Sequence, residues 1–550
     1  SDPTNYPELD GLRPDLYRCF MCATWSHGSN RGTIGLVHPE THLTDEKAGH
    51  LRELTYPRLR RHWQFTNELM LFGEISHLVV YGIHVYGRPL PRPYFKTACA
   101  LYHPDTVRDS LRHDGSGEAP GFKFEGHWDQ RPHAQRIQTI TDETLTTWRD
   151  ILDPDLQTPR QTRMLYTVNT DVAETLRQMS KAARLASLRL RFSQGWNETT
   201  DFRKGYFVQQ WGRPDSWDDV ILQGPHLHVA TPFFKSPNCT MKHNQDWSEV
   251  DLETLPPGAI PVTAYKPAGD RARYDADYTH WDGDPARDHY RLAWRRMASN
   301  TGERTLIAAI TPPHATHVNP IFTLAAQTPN DLMLAAAVTS SLLSDFSVRA
   351  TPKNDIYPSV IGRLAMPRND HPLMPALILR TLRLNCLTDA YADLWQECFD
   401  TSFTSDAWAS TDHTVISLGE VGPRWTPQTP LRRSSDRRQA LVEIDALVAL
   451  MLGVTADQLC TVYRTQFAVL YGYDHGKYTY DANGRLVPNA VLKVWRTKGE
   501  SMTLDERTHT NEAGNTYVYE LPFQTYDREH DMRIAYAEFD HRMETQGADS

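Results

Sequence analysis

Two stretches constrain this chain more than any others: HYRLAWRRMASNTGERTLIAAI, from His289 to Ile310, and SSLLSDFSVRATPKNDIYPSVIGRLAMP, from Ser340 to Pro367. In the first, Tyr290, Ala293, Trp294 and Met297 recur at helical spacing as one apolar stripe, with Arg291 and Arg295 four apart on another face. That spacing predicts a helix. A polar Asn300-Thr301-Gly302 break then leads into an apolar strand, Leu306 to Ile310, ending at Pro312-Pro313. The second stretch predicts a small-residue helix from about Leu332 to Phe346, a basic polar loop carrying Arg349 and Lys353, and a short strand closed by Pro367.

Further along, Leu441, Ile444, Leu447, Val448, Met451 and Leu452 form the apolar face of a helix. Gly453 stops it, and a Thr455…Gln458 capping box starts the next. Near the beginning, Gly32 to Pro39 is a short strand of the buried type. Thr44 is the expected cap of a helix with Asp45 and Glu46 in its first turn and Arg58, Arg60 and Arg61 in its last, charges that suit the helix dipole. After Trp63 and Phe65, the apolar run His77 to Tyr86, bounded by Gly87 and Pro89, predicts a second core strand.

The order of these segments closely resembles the specificity region of large type IIG restriction-modification enzymes and of related phage-exclusion methylases. In that family an arginine helix, an Asn-Thr break, an apolar strand and Pro-Pro are followed by a second helix, a loop and a Leu-Pro strand. A helix with Ile444-Asp445, Gly453 and Thr455-Ala456-Asp457-Gln458-Leu459 matches the tail that follows the recognition domain. Gly32-Thr33-Ile34-Gly35-Leu36-Val37-His38-Pro39 and Leu51-Arg52 resemble the second half of an adenine-specific methyltransferase domain, the part after its catalytic loop. The resemblance implies an α/β fold: a remnant of a Rossmann-like methyltransferase sheet, a mixed α+β target-recognition domain and a helical C-terminal region.

A methyltransferase of this class needs a Gly-rich turn through which backbone amides approach S-adenosylmethionine. It also needs an Asn/Asp-Pro-Pro-aromatic loop for the flipped adenine. Neither occurs here. Asn319-Pro320-Ile321-Phe322 lacks the second proline and reads as an ordinary turn, and Asp114-Gly-Ser-Gly117 has no apolar strand before it. The expectation is a chain that starts after the catalytic motifs, with no catalytic, cofactor-binding or metal residue of its own. S-adenosylmethionine belongs to the complete enzyme, whose missing half, or another defence-system subunit, is the expected protein partner. No nuclease pattern of Asp followed by Asp/Glu-x-Lys stands out.

Hydrophobic residues make up 40% and charged residues 23%, and no apolar run approaches a membrane span, so a multidomain cytoplasmic protein is expected. Seven scattered cysteines argue for reduced thiols; Cys19-x-x-Cys22 lacks the partner pair of a zinc site and fits helix packing. The 24 histidines form no metal-ligand spacing, and His226 and His228 are better explained by packing.

A net charge of -10 opposes nucleic-acid binding on average, yet a basic cleft can sit on an acidic body. Basic clusters stand at Arg58 to Arg61, Arg291 to Arg296 and Arg432 to Arg438. Lys242-His243-Asn244-Gln245 is a polar loop of base-reading residue types. The candidates for contact with duplex DNA are Lys242, His243, Asn244, Arg291, Arg295, Arg296, Arg304, Arg349 and Lys353. The expected organisation is a methyltransferase remnant over 1–125, a connecting region over 126–285, a recognition domain over 286–425 and a C-terminal region over 426–550. A Pro- and Arg-rich linker from Gly422 to Arg438 opens that last region, and an Asn483-Gly484 turn sits inside it. The alternative reading is a non-enzymatic scaffold or interaction subunit of a defence complex.

Overall fold

Short runs of β-branched and aromatic residues, punctuated by Gly and Pro, build the first sheet. The computed structural model describes residues 5–13, 15–299, 301–351 and 355–548, a mixed α/β chain in two compact units. The first unit runs to Lys181 and includes the segments 350–352 and 461–468; the second takes the remainder from Ala182.

In the first unit, α1 (Leu16–His27) is opened by Asp15, whose carboxylate accepts the Tyr17 amide. There follow β1 (Ile34–His38), α2 (Gly49–Thr55), β2 (Leu59–Thr66), β3 (Val80–Tyr86), β4 (Phe95–Leu101), α3 (Pro104–Ser110), β5 (Gln138–Ile140), α4 (Asp142–Leu152) and α5 (Thr170–Met179). The sheet order is β1-β3-β2-β4-β5, with Leu36 opposite His84 and Trp63 opposite Ile83. Only β2 and β4 pair in parallel, so the sheet is mixed where a Rossmann-type sheet has a run of parallel strands.

Both expected strands form. The helix expected from Thr44 does not: Thr41–Thr44 is a single turn, and Asp45 caps the next turn by accepting the Lys47 amide. The chain leaves α2 at Thr55, so Arg60 and Arg61 enter β2. The Arg60 guanidinium donates to the carbonyls of Pro57, Arg58 and Leu59, which accounts for its charge locally.

Four histidines form part of this unit's core. His38 and His84 stack at 3.9 Å, and His42 and His62 pack within 6 Å of the His84 ring. His62 is satisfied by Glu40 and Thr97, both at 2.9 Å. Both ring nitrogens of His84 and Nε2 of His42 are buried with no hydrogen-bond partner. Burial accordingly pushes His38, His42 and His84 below the usual histidine range.

The second unit carries β6 (Arg191–Ser193), β7 (Phe207–Gly212), β8 (Lys235–Pro237), β9 (Trp247–Glu249), β10 (Thr263–Pro267), β11 (Arg291–Arg295), β12 (Ala308–Thr311) and β13 (Ile321–Ala325). An antiparallel sheet in the order β12-β11-β13-β6 sits at its centre, with Leu292 opposite Ile310 and Trp294 opposite Phe322. The helix expected over Tyr290 to Met297 is therefore β11, an interior strand with neighbours on both edges. Arg291 to Trp294 are all buried, so no alternation marks the strand and the apolar spacing mimics a helix.

Beyond the sheet, α6 (Pro329–Ser340) begins at Thr328, whose hydroxyl accepts the Asp331 amide, and is buried along most of its length. It meets α7 (Leu342–Arg349) at a bend of 66°. No single described helix is long and apolar enough to cross a membrane. A short strand, Ala365–Met366, ends before Pro367 as expected.

The helices α8 (Met374–Asn385) and α9 (Ser434–Met451) pack together, and α10 (Arg528–Ala548) packs on α9, where Arg438 pairs with Asp531 at 2.6 Å. The later part of the expected linker, from Thr429 to Arg438, is instead largely core: Arg437 donates to the carbonyls of Leu384, Leu431 and Ala230. Gly453 takes a left-handed conformation, and the Thr455–Gln458 capping box forms in both directions.

Candidate nucleic-acid interface

The loop between β8 and β9 places Lys242, His243, Asn244 and Gln245 together in solvent. Its frame is set by Asp246. That carboxylate accepts the Thr240 hydroxyl at 2.6 Å, the Asn238 amide at 2.9 Å and the Lys242 backbone N–H at 2.9 Å. These donors, the Thr240 hydroxyl foremost, hold the Asp246 carboxyl down at about 2. The His243 ring nitrogen Nδ1 accepts the Gln245 amide, and Met241 takes a left-handed turn conformation. The polar side chains thus project from a backbone fixed from within.

Beside it stands β7. Val208, Gln209, Gln210 and Trp211 are exposed in succession, and Arg213 follows. In a strand, consecutive side chains face opposite ways, so neither face of this segment is covered by core. β7 pairs only with β10, and the register shifts between Gln209 and Gly212, so that Gln210 and Trp211 stand against Ala264 alone in a β-bulge. Trp211 is 41% exposed and donates through Nε1 to the Pro237 carbonyl at 2.7 Å, tying the bulge to the strand that leads into the 238–246 loop. Sequence reasoning passed over Gln209, Gln210 and Trp211; the signal available was the run Gln209-Gln210-Trp211 before Gly212-Arg213-Pro214.

Most of the expected arginine contacts lie elsewhere. Arg291 is buried and turns its guanidinium to the Ala315 carbonyl. Arg295 donates to the carbonyls of Gly224 and Leu227. Arg304 and Arg349 share the buried carboxylate of Asp345, at 2.7 and 3.0 Å. These four side chains serve the core of the unit, and burial without a close carboxylate pulls Arg295 down to about 10. Arg296 is half-buried, 3.5 Å from Asp355. Lys353 lies outside the described residues.

No described residues form a cluster fit to hold a metal ion. The two segments nearest to a substrate or cofactor loop are occupied by turns. Asn319 is used in a turn, its amide donating to the Trp196 carbonyl and its side chain accepting the Glu198 amide, and Asp114 closes a small turn on Ser116. His226 is a satisfied core residue, bonded to the Val262 carbonyl at 2.9 Å.

No family model and no curated protein matches the chain. Among solved structures it is similar to the type IIG restriction endonuclease BpuSI, at 12% identity and a TM-score of 0.26, covering 81% of this chain and 51% of that one. It is also similar to the type IIL restriction-modification enzyme MmeI in complex with DNA, at 9% identity and a TM-score of 0.35, covering 85% and 54%. The chain thus spans about half the length of each. Superpositions this loose do not assign fold or function.

Proposed function

We propose that this chain recognises duplex DNA in a sequence-specific manner, as the specificity half of a bacterial adenine-specific DNA methyltransferase in a restriction-modification or phage-defence system. The observation that carries the reading is the pre-set loop 238–246, which holds Lys242, His243, Asn244 and Gln245 in solvent beside the exposed β7. Amide and ammonium groups of these types pair with adenine and guanine edges in the major groove, and a rigid backbone lowers the entropy of placing them there. The order of segments from Leu306 to Leu459 supports the same family, although its arginine helix is a strand in this chain. Cofactor binding and methyl transfer belong to the missing half in this reading.

The test is binding to a duplex pool at about 50 and 200 mM salt. Contacts to several phosphates predict a steep loss of affinity over that range. A Lys242→Ala, Asn244→Ala double variant is expected to lose sequence preference at the positions the loop reads while keeping its fold. Unchanged preference refutes the reading.

A specific observation also favours the second reading, an interaction subunit of a defence complex. Between β2 and β3, Leu69, Met70, Leu71, Phe72, Ile75, Leu78, Val79 and Val80 are each 37% to 69% exposed. Asn67 clasps this loop, its amide donating to the Phe72 and Ile75 carbonyls. A contiguous apolar surface of this kind marks protein docking, and binding through it would be insensitive to salt. Salt dependence therefore separates the two readings.

A further inference from the structure

The two-stranded ribbon β7–β10 has a surface whose purpose the 238–246 loop does not explain. An isolated pair of strands is marginal in water, and this one is anchored at both ends, by the buried Phe207 at one and the buried Thr263 and Ala264 at the other. Its outer strand, from Val208 to Trp211, is left bare. The bare surface is neutral or cationic. Lys266 stands opposite Val208, Arg213 closes the strand, and no Asp or Glu occurs from Phe207 to Pro214 or from Thr263 to Gly269. The one carboxylate bound to the ribbon, Glu198, is held by the Tyr265 hydroxyl at 3.1 Å.

We propose that this ribbon enters the major groove of duplex DNA and that Gln209 and Gln210 read adenine there, with Lys266 and Arg213 against the flanking phosphates. The inference rests on the DNA-recognition reading above and assigns a part of its specificity to residues outside the 238–246 loop. Three physical points carry it. Paired strands lie about 4.7–4.9 Å apart, and the major groove, about 12 Å wide, admits such a ribbon. A glutamine amide offers one donor and one acceptor, which complement N7 and the N6 amino group of adenine in a bidentate pair. The bulge breaks strict alternation just after Gln209, and the bond from Trp211 to the Pro237 carbonyl holds the backbone there, so that only the glutamine side chains need ordering on binding.

The experiment selects bound sequences from a randomised duplex pool with the full chain and with the Gln209→Ala, Gln210→Ala double variant. Both side chains are exposed, so the unfolding midpoint is expected to stay unchanged. The wild-type chain should enrich a motif containing adenine, and in the double variant the preference for adenine at one or two positions should fall by about tenfold or more while the rest persists. Replacing those adenines by 7-deazaadenine, which lacks N7, should weaken the wild-type chain and leave the variant indifferent. A variant that enriches the unaltered motif overturns the assignment of the glutamines while leaving DNA recognition standing. A wild-type chain that enriches nothing refutes DNA recognition itself, and this inference with it.

Discussion

Replacing Asp345 by Ala tests whether Arg304 and Arg349 belong to the core. The Asp345 side chain is fully buried and accepts Arg304 Nε at 2.7 Å, Arg349 Nε at 3.0 Å and the Thr305 amide at 3.0 Å. Removing the carboxylate takes the directly bonded negative charge away from two buried guanidinium groups. They retain carbonyl acceptors, Ser340 and Ser341 for Arg304 and Gly302 and Glu303 for Arg349. Hydrogen bonds to charged groups contribute about 1.5–3 kcal/mol each, so the two arginine bonds together amount to about 3–6 kcal/mol. That agrees with the roughly 3–5 kcal/mol lost when one partner of a buried ion pair is removed. Against a total stability of about 5–15 kcal/mol, the effect is large. Urea unfolding should show a lower midpoint with little change in slope. A loss below about 1 kcal/mol refutes the placement of these arginines in the core and returns them to the list of DNA contacts.

Other predictions follow from the same geometry. Lys242→Ala should change stability by less than about 0.5 kcal/mol and lower the salt dependence of DNA binding by about 0.9 in log–log slope, measured by titration of a labelled duplex. His38, His42 and His84 hold their pKa values below the unfolded value of 6.5, so the unfolded chain takes up protons that the native core refuses. Stability is therefore present above about pH 6.5 and falls as pH drops below it; His84→Phe should flatten the decline between pH 7 and 5 in unfolding monitored by circular dichroism. Asp445 behaves in the opposite sense: burial raises its pKa to about 6, so its carboxylate is penalised as pH rises from about 4 to 6. Asp445→Asn keeps the acceptor for the Leu342 amide and should be more stable than wild type at pH 7.5 by about 1–3 kcal/mol, with the difference vanishing near pH 4. Gly484 has φ +76° and an added Cβ would meet Ser435 Oγ at 2.2 Å, so Gly484→Ala should cost more than the roughly 0.5 kcal/mol of an ordinary surface substitution, read as a lower unfolding midpoint.

Much of the local structure was legible because it is written in short-range chemistry. The strands at Ile34 and Val80, the apolar face of α9, its stop at Gly453 and the Thr455–Gln458 capping box depend on neighbours in sequence. The Asn483-Gly484 turn forms as well, with Asp481 accepting the Asn483 and Arg485 amides. What failed depends on distant partners. Tyr290 to Met297 has the spacing of a helix, but pairing with Ala308–Thr311 and Ile321–Ala325 makes Arg291–Arg295 a strand. Arginines read as groove contacts neutralise carbonyls and a carboxylate that sequence cannot bring beside them. In the candidate interface, Lys242 to Gln245 were legible by residue type, whereas Gln209 to Trp211 gain their exposure from a bulge set by the partner strand.

The most direct test of DNA recognition is selection from a randomised duplex pool at moderate salt, followed by sequencing of the retained fraction. The account predicts an enriched motif for the intact chain that loses one or more positions on Lys242→Ala, Asn244→Ala substitution, with binding weakened by salt. Retention without any preferred sequence, or a motif indifferent to that substitution, contradicts it.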